Sequence, residues 1–169
     1  GGAGLFGAFP LAYAVVLDAL AMPLVLMLIG LIFRGVAFEF RFKAKAHERH
    51  LWDKAFIGGS LTATLFQGMA LGAFIDGFPV VDNTYAGGAL DWLTPFSVFC
   101  ALALAIAYTL LGCTWLIMKT EGPLQTRMRT LARPLIWLLL GVIGINSIWT
   151  PLAHAEIAAR WFTFPNFVW

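Results

Sequence analysis

Few side chains in this sequence can do chemistry, and their positions are informative. Asp18 is the one acid well inside a long apolar run, and Gln67 interrupts a second run. A carboxylate at membrane depth is costly enough to mark a function by default, whereas a buried amide more often ties helices together. Asp18 and Gln67 are therefore the proton-path candidates. The plainer readings are a carboxylate within reach of the outer headgroups and an amide between helices. A third group, Arg34, Glu39 and Arg41, lies in the stretch from Phe33 to Lys43, interleaved with Phe33, Phe38, Phe40 and Phe42. That composition belongs where a span meets water and long cationic side chains reach for headgroups.

The remaining reactive types argue against metal chemistry by this chain. His47, His50 and His154 all lie at or beyond the ends of apolar runs, whereas haem ligation in a helix bundle needs histidines facing one another inside it. Cys100 and Cys113 are thirteen residues apart in one apolar run and read as small buried residues. No CxxC or Cys/His spacing occurs, so no metal site is expected from this chain alone.

The elements that must carry these residues are membrane spans. Of 169 residues 60% are hydrophobic and 12% charged, about half the charged fraction of a soluble domain, so a soluble fold is excluded and nucleic acid is not an expected partner. Apolar runs at 11–33, 55–75, 95–118 and 134–153 predict an all-α, polytopic transmembrane helix bundle of about four spans in a single domain. Pro23 predicts a kink in the first span, and Thr94 before Pro95 predicts the N-cap and first position of the third. Gly58, Gly59, Ser60, Ala63, Gly68, Gly72 and Ala73 predict that the second packs closely among other helices.

Charge orients the spans. The connection 34–54 carries six cations against three carboxylates, and 119–133 carries Lys119, Arg127, Arg129 and Arg133 against Glu121, so each has a net charge of +3. The connection 76–91 holds Asp76, Asp82 and Asp91, no Lys or Arg, and the turn formers Gly77, Pro79, Asn83, Gly87 and Gly88. The positive-inside rule places both basic connections in the cytoplasm and the acidic loop and both ends outside. The aromatic tail, with Trp161, Phe162, Phe164, Phe167 and Trp169, fits the interfacial belt. No signal peptide is expected, because no charged region, short apolar core and small-residue cleavage site open the chain.

Several phrases in register carry a family resemblance. FRGVAFEFR at 33–41, WDKAF at 52–56, YAGG at 85–88, DWLTPFS at 91–97 and TWLIMKTEG at 114–122 resemble subunit II of the cytochrome bd quinol oxidases, including the cyanide-insensitive branch. The resemblance implies a bacterial cytoplasmic (inner) membrane protein. It implies a non-haem-bearing subunit of a quinol:dioxygen oxidoreductase that forms a heterodimer with subunit I. The b and d haems belong to that partner, and subunit II supports it and, in some members, holds a quinone or contributes to a proton route. Family members have eight spans, so an internal portion of a larger subunit is expected, with GGAGLFGAFP resembling the end of the family's second span. Arg34 carries over as the candidate for supporting the haem-bearing partner, with Glu39 and Arg41 beside it; snorkelling to the surface is the simpler reading. The competing function is a small transporter or scaffold unrelated to respiration, suggested by Asp18, Gln67 and Pro23. It lacks the pair of short, broken spans that carriers use.

Overall fold

A computed structural model describes residues 2–82, 84–153 and 155–163. The described elements are α1 (Gly2–Ala8), α2 (Pro10–Lys43), α3 (Arg49–Asp76), a short antiparallel pair β1 (Val80–Val81) and β2 (Thr84–Tyr85), α4 (Pro95–Lys119), α5 (Pro123–Ala153) and α6 (Ala155–Phe162). The chain is an all-α polytopic bundle. Asn83, His154, Phe164, Phe167 and Trp169 lie outside the described residues.

Among the described residues three helices, α2, α4 and α5, are long and apolar enough to cross a membrane. Helix α3 has 28 residues, about 42 Å at 1.5 Å per residue, but is less apolar because Gly58, Gly59, Ser60, Thr62, Thr64 and Gln67 fall within it. Two helices run further than the apolar runs that nucleate them. Helix α2 continues past Phe33 to Lys43, and α5 begins at Pro123, eleven residues before Pro134. Neither extension contains a Gly-Pro break or an internal proline, so nothing interrupts the backbone ladder as it runs into the charged region. Helix α2 also continues through Pro23, whose side chain is fully buried.

The chain forms two compact units, Gly1–Ala105 and Ile106–Trp169. In the first, α3 has two close-packed faces. Its Gly59 meets Gly30 of α2, and a Cβ added at Gly59 would lie 2.6 Å from the Gly30 carbonyl oxygen and 2.9 Å from the Arg34 nitrogen. Further along, a Cβ at Gly68 would lie 2.4 Å from Ala101 Cα, and one at Gly72 would lie 2.5 Å from Ser97 Cα. Small residues thus let backbones approach on both sides, the means by which membrane helices gain packing where lipid removes the hydrophobic drive. At the level of the second seam, Leu20, Ala70, Ala73 and Trp92 form a core with Val16, Leu24, Phe66 and Met69 around it. The Phe66 and Trp92 rings meet edge to face at 6.0 Å, an arrangement their quadrupoles favour.

The start of α4 is built as its sequence predicts. The Ser97 N–H donates to Thr94 Oγ1 and the Thr94 N–H donates to Ser97 Oγ, each at 3.0 Å, a reciprocal cap that satisfies N-terminal donors. The Thr94 hydroxyl in turn donates to Asp76 Oδ2 at the end of α3. The loop between the two helices is therefore tied at its base.

In the second unit, α5 follows the C-terminal part of α4 through Gly122, which adopts the left-handed conformation (φ +77°). Gln125 Nε2 donates to the Ile117 carbonyl at 2.9 Å, and Lys119 Nζ lies 5.4 Å from the Trp115 ring centroid. The Gln125 bond fastens the turn between the two helices.

Candidate functional site at the α2–α3 turn

Arg34, Glu39 and Arg41 all stand on the C-terminal part of α2. Arg34 and Arg41 are seven residues apart, two helical turns, and so share a face. That face looks onto α3. The Arg34 guanidinium carbon lies 5.4 Å from the Phe56 ring centroid, within cation–π range, and Arg41 Nε pairs with Asp53 Oδ1. Phe40 stacks on Trp52 at 5.1 Å with planes tilted by 32°. Ala37, between these contacts, is 1% exposed. Glu39 is exposed and falls about 140° around the helix from Arg34 at 100° per residue, so it does not join them.

The turn itself is compact. The Glu48 N–H donates to the Lys45 carbonyl at 2.9 Å and the Leu51 N–H to the Glu48 carbonyl at 3.0 Å. His50 Nδ1 lies 2.8 Å from the His47 carbonyl oxygen, and His47 Nε2 lies 3.5 Å from Glu48 Oε1. Both imidazoles thus have polar neighbours within the turn. Among the described residues no group of three or more His, Cys, Asp or Glu side chains is placed to hold a metal ion.

The structure does not bring Asp18 and Gln67 together with this group. Asp18 is exposed on the N-terminal half of α2, beside the buried Ala19 and Leu20, and makes no hydrogen bond or ion pair among the described residues. Gln67 lies on α3 next to the Gly68 seam and has polar partners of its own.

Two partners escaped a reading by composition. Asp53 counted only as one of three loop acids, and Phe56 only as part of a phrase; both prove to be the counterparts of the α2 arginines. Their three-residue spacing, which puts them on one face of α3, was the available signal. A second assembly lies in the acidic loop. The Tyr85 hydroxyl is 2.8 Å from the Gly88 carbonyl oxygen and 3.2 Å from Asp91 Oδ2, and the Gly88 N–H donates to Asp91 Oδ2 at 2.7 Å. Partial burial, then the neighbouring Asp91 charge and hydrogen bond, raise the Tyr85 pKa above its ordinary value of 10.0. A Cβ on Gly87 would lie 2.3 Å from both the Tyr85 hydroxyl and Asp91 Oδ2, so a side chain there would displace these two groups from one another.

Both assemblies are made of the phrases that carry the resemblance, and comparison with known proteins agrees. The family profile described as cytochrome bd terminal oxidase subunit II matches residues 1–169. The chain belongs to that family. Among curated relatives, cytochrome bd-I ubiquinol oxidase subunit 2 of Escherichia coli strain K12 is 30% identical over 154 residues, covering 88% of this chain and 41% of the relative. The Bacillus subtilis strain 168 cytochrome bd ubiquinol oxidase subunit 2 is 30% identical over 162 residues, covering 94% and 45%. A probable cytochrome oxidase subunit 2 of Haemophilus influenzae is 33% identical over 138 residues, covering 78% and 36%. The chain thus spans roughly two-fifths of the length of these relatives.

Proposed function

We propose that this chain is part of the non-haem-bearing subunit of a bd-type quinol:dioxygen oxidoreductase in the bacterial cytoplasmic membrane. Its partner is a haem-bearing subunit holding the b and d haems, quinol is the reductant, and oxygen is reduced to water. The observation that carries this reading is the family match across residues 1–169. The α2–α3 hairpin supplies the means: its glycine crossing and the Arg34–Phe56 and Arg41–Asp53 contacts make a stiff unit on which a partner can be assembled.

In this reading α3 also crosses the membrane, because it packs antiparallel along the apolar α2. The resulting four-span topology puts 34–54 and 119–133 in the cytoplasm. Asp18 and Gln67 are assigned to a proton or quinone route; Asp18, exposed on a span, needs water or a polar group from outside this chain to remain there.

Arg34→Gln in the intact complex tests the site. Held over Phe56, Arg34 fixes the partner-facing end of α2, so the variant is expected to lose at least half of the haem absorbance that copurifies with the subunit, with membrane insertion unchanged. Full haem content in that variant would reduce Arg34 to a topological anchor.

A further inference from the structure

Once Arg41 is neutralised by Asp53, the α2–α3 turn keeps four cations, Lys43, Lys45, Arg49 and Lys54, none of which makes an ion pair among the described residues. All four are exposed. Arg49 is partly oriented, with its Nε 3.4 Å from the Ala44 carbonyl oxygen, which folds the guanidinium back over the turn. Beside them runs a groove of about 460 Å³ lined by Glu48, Leu51, Trp52 and Ala55. These residues recur at the three- and four-residue spacing of one helical face, and Trp52 is braced from behind by Phe40. The groove therefore has an apolar floor and wall and one acidic group, while Arg49 and Lys54 adjoin its lining residues Glu48 and Ala55 along the chain and Lys43 and Lys45 lie just before them.

We infer that this groove is a binding site for an anionic phospholipid whose headgroup carries free hydroxyls, of the phosphatidylglycerol type. The phosphate lies against Lys45 and Arg49. The headgroup hydroxyls donate to the Glu48 carboxylate, which would repel a second anionic group in their place. The upper acyl chain lies on Leu51, Trp52 and Ala55. Charge complementarity selects the occupant: juxtamembrane cations left without protein partners attract anionic lipid, and the single acid among them accepts hydrogen bonds from headgroup hydroxyls. The groove stands at the N-terminal end of α3, beside the C-terminal end of the apolar α2, where the topology proposed above puts lipid headgroups. This site uses none of the residues assigned to the haem-bearing partner.

The test uses the purified complex that contains this chain, delipidated and titrated with phosphatidylglycerol, phosphatidylcholine or inorganic phosphate, with bound lipid counted by native mass spectrometry. Phosphatidylglycerol is expected to remain bound to the subunit where phosphatidylcholine does not. The double variant Lys45→Gln/Arg49→Gln should weaken that binding by roughly thirtyfold, from about fivefold per cation removed. Ala55→Phe, which fills the groove without changing charge, should displace the same lipid, with both variants melting like the parent in phosphatidylcholine. Equal retention of the two lipids, undiminished phosphatidylglycerol binding in both variants, or equal protection by inorganic phosphate would each overturn the assignment.

Discussion

Gly30 of α2 and Gly59 of α3 meet backbone to backbone: a Cβ on Gly30 would lie 2.8 Å from the Gly59 carbonyl oxygen, and a Cβ on Gly59 would lie 2.6 Å from that of Gly30. The obstacle on each side is main chain, which cannot rotate away as a side chain would. This contact sets the distance between the helices at the level where Arg34 and Phe56 come together.

Gly59→Ala should therefore push α2 and α3 apart and destabilise the subunit by about 1–3 kcal/mol, the usual cost of overpacking. Gly58→Ala is the internal control. Its added Cβ meets nothing within 4 Å, and alanine is favoured over glycine in a helix by about 0.5–1 kcal/mol. Thermal denaturation of the two variants side by side should give opposite signs; a matching loss in both would mean that the crossing is not the cause.

Thr94 performs two tasks, capping α4 by accepting from the Ser97 N–H and tying down α3 by donating its hydroxyl to Asp76. Thr94→Val keeps the shape and removes the hydroxyl, so it is expected to cost about 1–2 kcal/mol, within the range for a lost N-cap. Asp76→Asn should cost less, because it leaves the cap intact. Protease access to the loop at 85–94 should rise in Thr94→Val more than in Asp76→Asn.

Tyr85 should ionise above its ordinary value, which an absorbance titration of the phenolate against a Tyr85→Phe background can follow. The sign for stability follows from proton binding. Above the unfolded pKa of 10.0, the folded state still holds the phenolic proton while the unfolded state releases it. Its contribution to stability is therefore complete below that value and declines as pH rises through the folded pKa. Tyr85→Phe should abolish that alkaline dependence and, at neutral pH, cost about 0.5–1.5 kcal/mol for the lost hydrogen bonds.

The sequence by itself determined the features that arise within one segment. Apolar length defined the membrane helices α2, α4 and α5, Thr94 and Pro95 defined the start of α4, and phrases such as FRGVAFEFR and DWLTPFS defined the family. Each depends on neighbours a few residues away, where composition and spacing are decisive. Helix extent was less legible: the charged stretch to Lys43 continues α2, because charge alone does not end a backbone ladder.

Only the tertiary structure decided which of two adjacent glycines forms the crossing, that Arg41 meets Asp53, and that Arg34 lies over Phe56 rather than extending freely to the headgroups. It likewise left Asp18 and Gln67 apart from that group. These outcomes depend on the register in which α2 and α3 lie side by side. A shift of one residue turns a helix by about 100°, so the choice between Gly58 and Gly59 is made by the packed pair of helices and not by either segment alone.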